Sequence, residues 1–312
     1  MKLVAIDQTN IVSAIGLLLE GFRGRSPSFW ESGIKRSEKH APQDANWPIG
    51  YLLERNEKSS GVILTATSRR SPEQSAPQHF VNLSSWYVAE SHRNIAPMML
   101  FRVLSDQDKV YTDLTPSASV MKINERLGFT RWNEGVIISL WPWSLLLPSG
   151  NARILALRDV PTGAMPDWER QLLEDHQKMG CLCGALFDGN RYEPWAVMLG
   201  ARSGVIRRRL SHDNKLMPVR RVLKRFMPFQ KLRVAHVIYA RNRQHVISNL
   251  RPLMKHLRGA GLAGISVDAD ARDCPKGALF RPWGLKCFRG PIERSRIDYA
   301  YSELIYLRLP PF

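Results

Sequence analysis

The sequence lacks a long hydrophobic run. No stretch of its 312 residues approaches the roughly 20 consecutive apolar residues that a membrane-spanning helix needs. The opening residues, MKLVAIDQTN, lead into a strand-like pattern and lack the apolar centre of a signal peptide. These absences predict a protein with no transmembrane segment and a cytoplasmic location.

Cysteine is also scarce. The four cysteines, Cys181, Cys183, Cys274 and Cys287, form no CxxC pair and no spacing typical of a secreted disulfide framework. This pattern favours free thiols in a reducing compartment and predicts no metal site.

Acidic residues are too few to balance the basic ones, and the net charge is +17. Residues 1–150 hold 16 Lys and Arg against 14 Asp and Glu, whereas residues 151–312 hold 29 against 14. The halves therefore carry +2 and +15. The asymmetry suggests that the second half contacts a polyanion, which the charge alone leaves open as nucleic acid, an anionic membrane or an acidic glycan.

Much of this charge lies between residues 205 and 233. Val219, Val222, Leu223 and Phe226 have helical spacing there, which predicts a basic amphipathic helix. Such a helix either contacts a polyanion or packs its apolar face on its own domain. The candidate contact residues are Arg207, Arg208, Arg209, Arg220, Arg221, Lys224 and Arg225.

Apolar periodicity in the first half predicts the element order β-α-α-β-β-β-α-β-α-β-β. A strand over Phe80–Val88 is followed by a polar turn and a helix over Pro97–Ser105. A strand over Lys109–Leu114 and a helix over Ala118–Leu127 come next. A helix that begins directly after a strand is a common site for binding a phosphate group.

The first predicted domain ends with a pair of strands, and a second domain follows. Strands over Phe129–Arg131 and Val136–Trp141 are expected to form a closing antiparallel pair, followed by a junction over Pro142–Gly150. The sequence thus predicts domains at residues 1–148 and 149–312.

The second domain is expected to repeat the mixed α/β unit. ILALRD at 154–159 echoes LVAID at 3–7. A hairpin is expected over Trp195–Leu199 and Val205–Arg209, and a closing pair over Leu285–Phe288 and Tyr299–Leu309.

Three segments of the first half together resemble the GNAT superfamily of acyl-CoA-dependent N-acyltransferases: NLSSWYV (82–88), HRNIAPM (92–98) and INERLGF (123–129). The resemblance implies an α/β fold with a mixed sheet, present here as two GNAT-like domains in tandem. The segment YARNRQHVISNL (239–250) lacks the glycines of a phosphate-binding turn, so the second domain is expected to be a degenerate copy.

The resemblance implies that the co-substrate is acetyl-CoA or another acyl-CoA, with no metal. In the family the turn after the strand has Arg or Gln, two free positions, Gly, one free position, then Gly or Ala. Here Met98 takes the last position, and Pro97 has no amide hydrogen. The residues assigned to the CoA pyrophosphate are Arg93, Asn94, Ile95, Ala96 and Pro97.

Three further residues are assigned to the cofactor. The family pattern implies that the backbone of Tyr87 and Val88 grips pantetheine and polarises the thioester carbonyl. Ser117 either hydrogen-bonds CoA or caps the helix that begins after Pro116.

Two residues are assigned to catalysis. Asn124 stands where the family often has a tyrosine that protonates the leaving thiolate, and an amide cannot act as a general acid. Asp113, at the end of a strand beside the expected cleft, ranks first as the base, ahead of Ser84, Glu90, His92 and Thr115. A turn or capping role is the alternative for Asp113.

The sequence therefore predicts an N-acyltransferase that moves the acyl group of acyl-CoA directly to an amine acceptor of unknown identity. The alternative is a non-catalytic GNAT-like module that binds a polyanion through its basic half. A third possibility is acyl transfer to a glycan or its amino-sugar precursor near a membrane.

Overall fold

The computed structural model describes residues 2–42, 47–55, 58–71, 76–141, 143–199 and 233–309. These residues form two compact units. The first contains the described residues of Met1–Trp132 together with Leu285–Leu309, and the second contains those of Asn133–Gly284.

The first unit contains seven strands and five α-helices among its described residues. In chain order they are β1 (Lys2–Ala5), α1 (Ile11–Gly21), α2 (Pro27–His40), β2 (Gly50–Arg55), β3 (Lys58–Arg70), β4 (Gln78–Val88), α3 (Ala96–Val103), β5 (Val110–Asp113), α4 (Ala118–Arg126), β6 (Thr130–Arg131), and near the C-terminus β14 (Cys287–Arg289) and α8 (Glu303–Tyr306).

The second unit also contains seven strands in its described part. Its elements are β7 (Gly135–Leu140), β8 (Arg153–Ala156), α5 (Asp167–Lys178), β9 (Leu182–Phe187), β10 (Tyr192–Leu199), β11 (Val234–Ala240), α6 (Arg243–Ser248), α7 (Leu250–Gly259), β12 (Gly264–Ala269) and β13 (Leu279–Pro282).

The two sheets share one topology. The first has the strand order β1-β2-β3-β4-β5-β14-β6, and the second has β8-β9-β10-β11-β12-β7-β13. All described strand pairs are antiparallel except β4 with β5 and β11 with β12, which occupy the same place in each sheet. The predicted repeat of a mixed α/β unit is confirmed.

Each sheet takes one strand from the other half of the chain, and the predicted closing pairs are therefore wrong. β6 pairs with β14, where Arg131 lies opposite Cys287, and not with β7. β7 pairs with β12 and β13 in the second sheet. Alternation of apolar residues shows that a segment is a strand but does not show which strand is its partner.

The boundaries of the compact units differ from those predicted for the same reason. The units divide after Trp132 and before Leu285, not between residues 148 and 149. The segment over Tyr299–Leu309, expected to be a strand, contains the short helix α8. β10 pairs with β9 and β11, and the predicted partner at Val205–Arg209 lies outside the described residues.

Helices cover both faces of the first sheet. On one face Leu52, Val62 and Leu64 pack with α1, α2 and the C-terminal Leu307. On the other face, residues such as Ile63 of β3 and Leu83 of β4 pack with α3 and α4. Successive side chains of a strand point to opposite faces, so each strand serves both cores.

No helix in the described ranges is both long enough and apolar enough to cross a membrane.

Candidate active site

The site begins where β4 and β5 separate. Their parallel pairing ends with Leu83 opposite Asp113, the last residue of β5. β4 continues to Val88, paired with β3 alone. Among the described residues, the backbone of residues 84–88 therefore has no strand partner on its β5 side.

A β-bulge changes the direction of β4 at this point. Val62 lies opposite Tyr87 and Leu64 lies opposite Ser84, so two residues of β4 stand against Ile63 alone. One of the two, Ser85, has φ 49°, in the left-handed region that non-glycine residues seldom adopt. Bulges of this kind turn side chains and backbone groups away from the regular ladder and are frequent beside active sites.

A cavity of about 360 Å³ opens at the divergence and is lined from both faces of the sheet. Its described walls come from the α1–α2 region, β3, β4, α3, the turn after β5, α4 and the C-terminal segment. The lining residues are Phe22, Arg25, Phe29, Trp30, Ile63, Leu83, Ser84, Ser85, Trp86, Leu100, Asp113, Thr115, Pro116, Ser117, Val120, Glu303, Leu307 and Leu309.

Two buried carboxyl groups, those of Asp113 and Glu303, lie in this wall. Asp113 Oδ2 accepts a hydrogen bond from Asn124 Nδ2 at 2.8 Å, and the Thr115 backbone amide also donates to this carboxyl. The Thr115 hydroxyl donates to Glu303 Oε1. Thr115 therefore links the two carboxyl groups through its amide and its hydroxyl.

Glu303 is held in place by β4. Its backbone amide donates to Asn82 Oδ1 at 2.9 Å, and the amide group of Asn82 in turn donates to Thr112 Oγ1 at 3.1 Å. The Ser84 hydroxyl donates to the Glu303 carboxyl. Glu303 thus reaches the cavity from the helical layer of α2, while Asp113 reaches it from the layer of α4.

Burial makes the pair hard to ionise fully. Burial and the neighbouring Glu303 raise the pKa of Asp113 to about 7, against hydrogen bonds from Asn124 and Thr115 that lower it. Burial likewise raises the pKa of Glu303, against hydrogen bonds from Ser84 and Thr115. A buried carboxyl group whose pKa lies near neutrality, as that of Asp113 does, can both accept and return a proton.

The two predicted catalytic residues, Asp113 and Asn124, are in contact, but only Asp113 lies at the cavity surface. Asp113 lines the cavity. Asn124 has no exposed surface and also donates to Cys287 Sγ at 3.3 Å. The Asn124 amide therefore positions Asp113 from behind and does not face the cavity. Of the other bases considered, Ser84 and Thr115 line the cavity, whereas Glu90 and His92 do not.

The residues predicted to grip pantetheine lie just beyond the bulge. Tyr87 packs its ring against Gly21, where an added Cβ would lie 2.5 Å from it, and Val88 belongs to the core under α3. The backbone of both residues belongs to the segment without a β5 partner. Ser117 accepts a hydrogen bond from the Val120 amide at 3.3 Å and so caps α4, and it also lines the cavity.

The predicted pyrophosphate turn is more compact than the family pattern implies. Residues Glu90–Ile95 form a 3-10 helix that runs into α3. The Ala96 amide donates to the Arg93 carbonyl and is therefore occupied. Arg93 is exposed and pairs weakly with Glu90, at 3.9 Å. Asn94 and Pro97 are exposed beside it, and Ile95 is half-buried.

Sequence reasoning missed Glu303. It was expected in a closing strand of the second domain, because its neighbours Leu304, Ile305 and Tyr306 are apolar. A single carboxylate in such a run is itself a signal, since a glutamate is almost never fully buried unless it is paired.

The described part of the second unit has other residues at its parallel pair of strands. Between β11 and β12, His236 lies opposite Ser266, with His236 Nδ1 2.9 Å from Ser266 Oγ. Val267 follows Ser266, whereas in β5 Asp113 follows Thr112. In the segment 239–250, Arg241 is bound to the buried Glu169. The expectation that the second domain is a degenerate copy stays a prediction.

Two predictions concern other kinds of ligand. The residues proposed for polyanion contact, Arg207, Arg208, Arg209, Arg220, Arg221, Lys224 and Arg225, lie outside the described residues. Within the described part of the chain, no group of three or more His, Cys, Asp or Glu side chains is placed to hold a metal ion.

Comparison of the sequence with protein-family models and with curated proteins finds no match. Solved structures do match the fold. A GCN5-related N-acetyltransferase from Anabaena variabilis aligns over 92% of this chain and 72% of its own, with TM-score 0.54 and 10% identity. A probable N-acyltransferase from Enterococcus faecalis aligns over 92% and 71%, with TM-score 0.52 and 8% identity. The chain therefore has the fold of the GCN5-related N-acetyltransferases (GNAT), with two such mixed α/β units in tandem.

Proposed function

We propose that the first unit is an N-acyltransferase that moves the acyl group of an acyl-CoA, in the first place acetyl-CoA, directly to an amine. The observation that carries this proposal is the cavity at the divergence of β4 and β5, with Asp113 and Glu303 in its wall. The acyltransferases among the structures that share the fold support the same class of reaction.

The residues present fit the thioester end of an acyl-CoA. On the β5 side the backbone of residues 84–88 has no strand partner among the described residues, so a pantetheine chain can add there as a strand would. Leu83, Leu100 and Val120 give the adjoining wall an apolar surface suited to an acyl chain. When bound, an acyl-CoA supplies the thioester whose acyl group is transferred.

We expect the pyrophosphate of CoA to be held more by positive charge than by free backbone amides. Pro97 has no amide hydrogen and the Ala96 amide is occupied, so fewer backbone donors remain than in the family pattern. The exposed guanidinium of Arg93 and the positive end of the α3 dipole favour an anion at this place. We assign residues 93–97 to the pyrophosphate on these grounds.

The carboxyl pair handles the protons. An amine reaches the site as an ammonium ion and must lose a proton before its nitrogen can attack. The ionised member of the Asp113–Glu303 pair accepts that proton, and general base catalysis of this kind contributes about 10² to 10⁴ in rate. Because the pKa of Asp113 lies near neutrality, the proton taken from the amine can then pass to the departing thiolate.

The β-bulge in β4 bears on the polarisation of the thioester carbonyl. Ser85 and Trp86 of the bulge line the cavity, and we assign the polarisation of the thioester carbonyl to a backbone amide of the residues that follow, Tyr87 or Val88. A fixed amide directed at a developing oxyanion is worth about 3 kcal/mol in related acyl transfers.

Calorimetric titration of acetyl-CoA and of CoA tests the proposal first. Arg93→Glu should weaken binding, while Lys122→Glu, an exposed charge reversal on α4, should leave it unchanged. Release of free CoA in the presence of an amine panel then tests the transfer. Absence of binding at millimolar acetyl-CoA would reject the proposal and leave the non-catalytic alternative.

A further inference from the structure

The cavity contains one cationic side chain, Arg25, among its described lining residues. Arg25 lies between α1 and α2, is exposed, and forms no ion pair with any described residue. Its guanidinium carbon lies 4.5 Å from the centroid of the Phe29 ring. Stacking on an aromatic face holds a guanidinium in place while its N–H groups remain free to donate.

An aromatic wall accompanies Arg25 in the lining. The rings of Phe29 and Trp30 meet edge to face, with centroids 5.0 Å apart, and the rings of Phe22 and Trp30 lie 5.4 Å apart. Such mutual packing fixes the orientation of each ring. The wall offers an apolar surface to the carbon skeleton of a small molecule.

The cavity lining therefore carries side chains of both charges. Asp113 and Glu303 are buried and favour a cation, whereas Arg25 is exposed and favours an anion. An amine with a second positive charge would bring that charge near Arg25 and be repelled. An amine with a negative group would satisfy both charges at once.

The geometry points to an acceptor that is a small amine bearing an anionic group, such as a carboxylate. Its ammonium group binds at Asp113 and Glu303, its carbon skeleton packs on Phe22, Phe29 and Trp30, and its anionic group pairs with Arg25. This inference rests on the proposed function for the identity of the site, and it adds the chemical class of the acceptor.

Three linear amines of equal length test the inference, namely aminohexanoate, hexylamine and diaminohexane. Their binding to the full chain is measured by calorimetry without an acyl donor, and their turnover with acetyl-CoA is measured by CoA release. Aminohexanoate should bind about three- to fivefold more tightly than hexylamine, the size of an exposed ion pair, and diaminohexane should bind more weakly than either. Arg25→Glu should reverse the order.

Arg23→Glu is the matched control, because Arg23 is exposed on the same segment and does not line the cavity. It should leave the order unchanged. Equal binding of all three amines, or the same response to both charge reversals, would overturn the inference while leaving acyl transfer intact. Ordered binding with no turnover of any amine would instead reject the proposed function and keep the ligand class.

Discussion

Arg70 and Asp298 form a two-pronged ion pair across 228 residues of sequence. Arg70 Nη1 lies 2.6 Å from Asp298 Oδ2, and Arg70 Nη2 lies 2.7 Å from Asp298 Oδ1. Both side chains are less than a tenth exposed. Arg70 ends β3, whereas Asp298 lies in the C-terminal segment that also carries β14 and α8. The pair therefore fixes this segment to the first sheet.

Breaking this pair should be costly. Removal of one partner of a buried ion pair typically costs about 3 to 5 kcal/mol. We expect Asp298→Asn to lower the free energy of unfolding by this amount in urea denaturation. Asp108→Asn, at an exposed aspartate of the same unit, should have no measurable effect. Equal stabilities of the two variants would show that the pair does not anchor the segment.

The exchanged strands predict which fragments fold. A fragment of residues 1–148 lacks β14, so β5 and β6 would lose the strand that joins them. We expect this fragment to be unfolded or aggregated by circular dichroism and limited proteolysis. Co-expression with a second fragment of residues 149–312 should restore a protease-resistant complex. Cooperative unfolding of the first fragment alone would contradict the strand assignment.

The pH dependence of stability follows from Asp113. Its pKa is about 7 in the folded protein against 3.8 in the unfolded chain, so between these values the folded state binds the additional proton. The free energy of unfolding should therefore decrease as the pH rises from about 4 to about 7. Glu303, whose pKa is also raised, acts in the same direction.

The decrease should be smaller in Asp113→Asn, which cannot ionise, and unchanged in Asp108→Asn. Urea denaturation at intervals of pH measures it. A slope that is the same in the wild type and Asp113→Asn would mean that Asp113 is not the buried acid described.

The bulge in β4 makes Ser85 sensitive to the type of side chain. Its left-handed φ of 49° suits glycine and strains a β-branched residue. Ser85→Gly should change stability by less than about 1 kcal/mol, whereas Ser85→Val should cost about 1 to 3 kcal/mol. If Ser85→Val proved as stable as Ser85→Gly, the backbone at this site would not be in the conformation described.

The sequence was sufficient for the local elements of the first half. The order of eleven strands and helices from β1 to β7 agrees with the structure, because most of these elements have an apolar period or a turn or capping signal at an end. Ser117 is an example, since its position after Pro116 marks the start of α4. The same reasoning placed Asp113 at a strand end beside the cleft.

The strand partners and the position of Glu303 could not be predicted from the sequence, because both depend on pairing between distant parts of the chain. Nothing in the residues of β7 distinguishes a partner in its own half from β12, since both choices bury the same face. Glu303 was missed for the related reason that α8 belongs to the first unit although it lies near the end of the chain. The compact turn before α3 was also unforeseen, because the family pattern implied more free amides.

The most direct test of the account is the rate of acyl transfer in Asp113→Asn, measured as CoA release at saturating acetyl-CoA with an amine that the wild type accepts. Calorimetric binding of CoA and the unfolding curve verify that the variant is folded. The account predicts a loss of about 10² to 10⁴ in kcat with CoA affinity unchanged, and no loss in Asp108→Asn. Full activity of folded Asp113→Asn, or no transfer by the wild type to any amine, would contradict it.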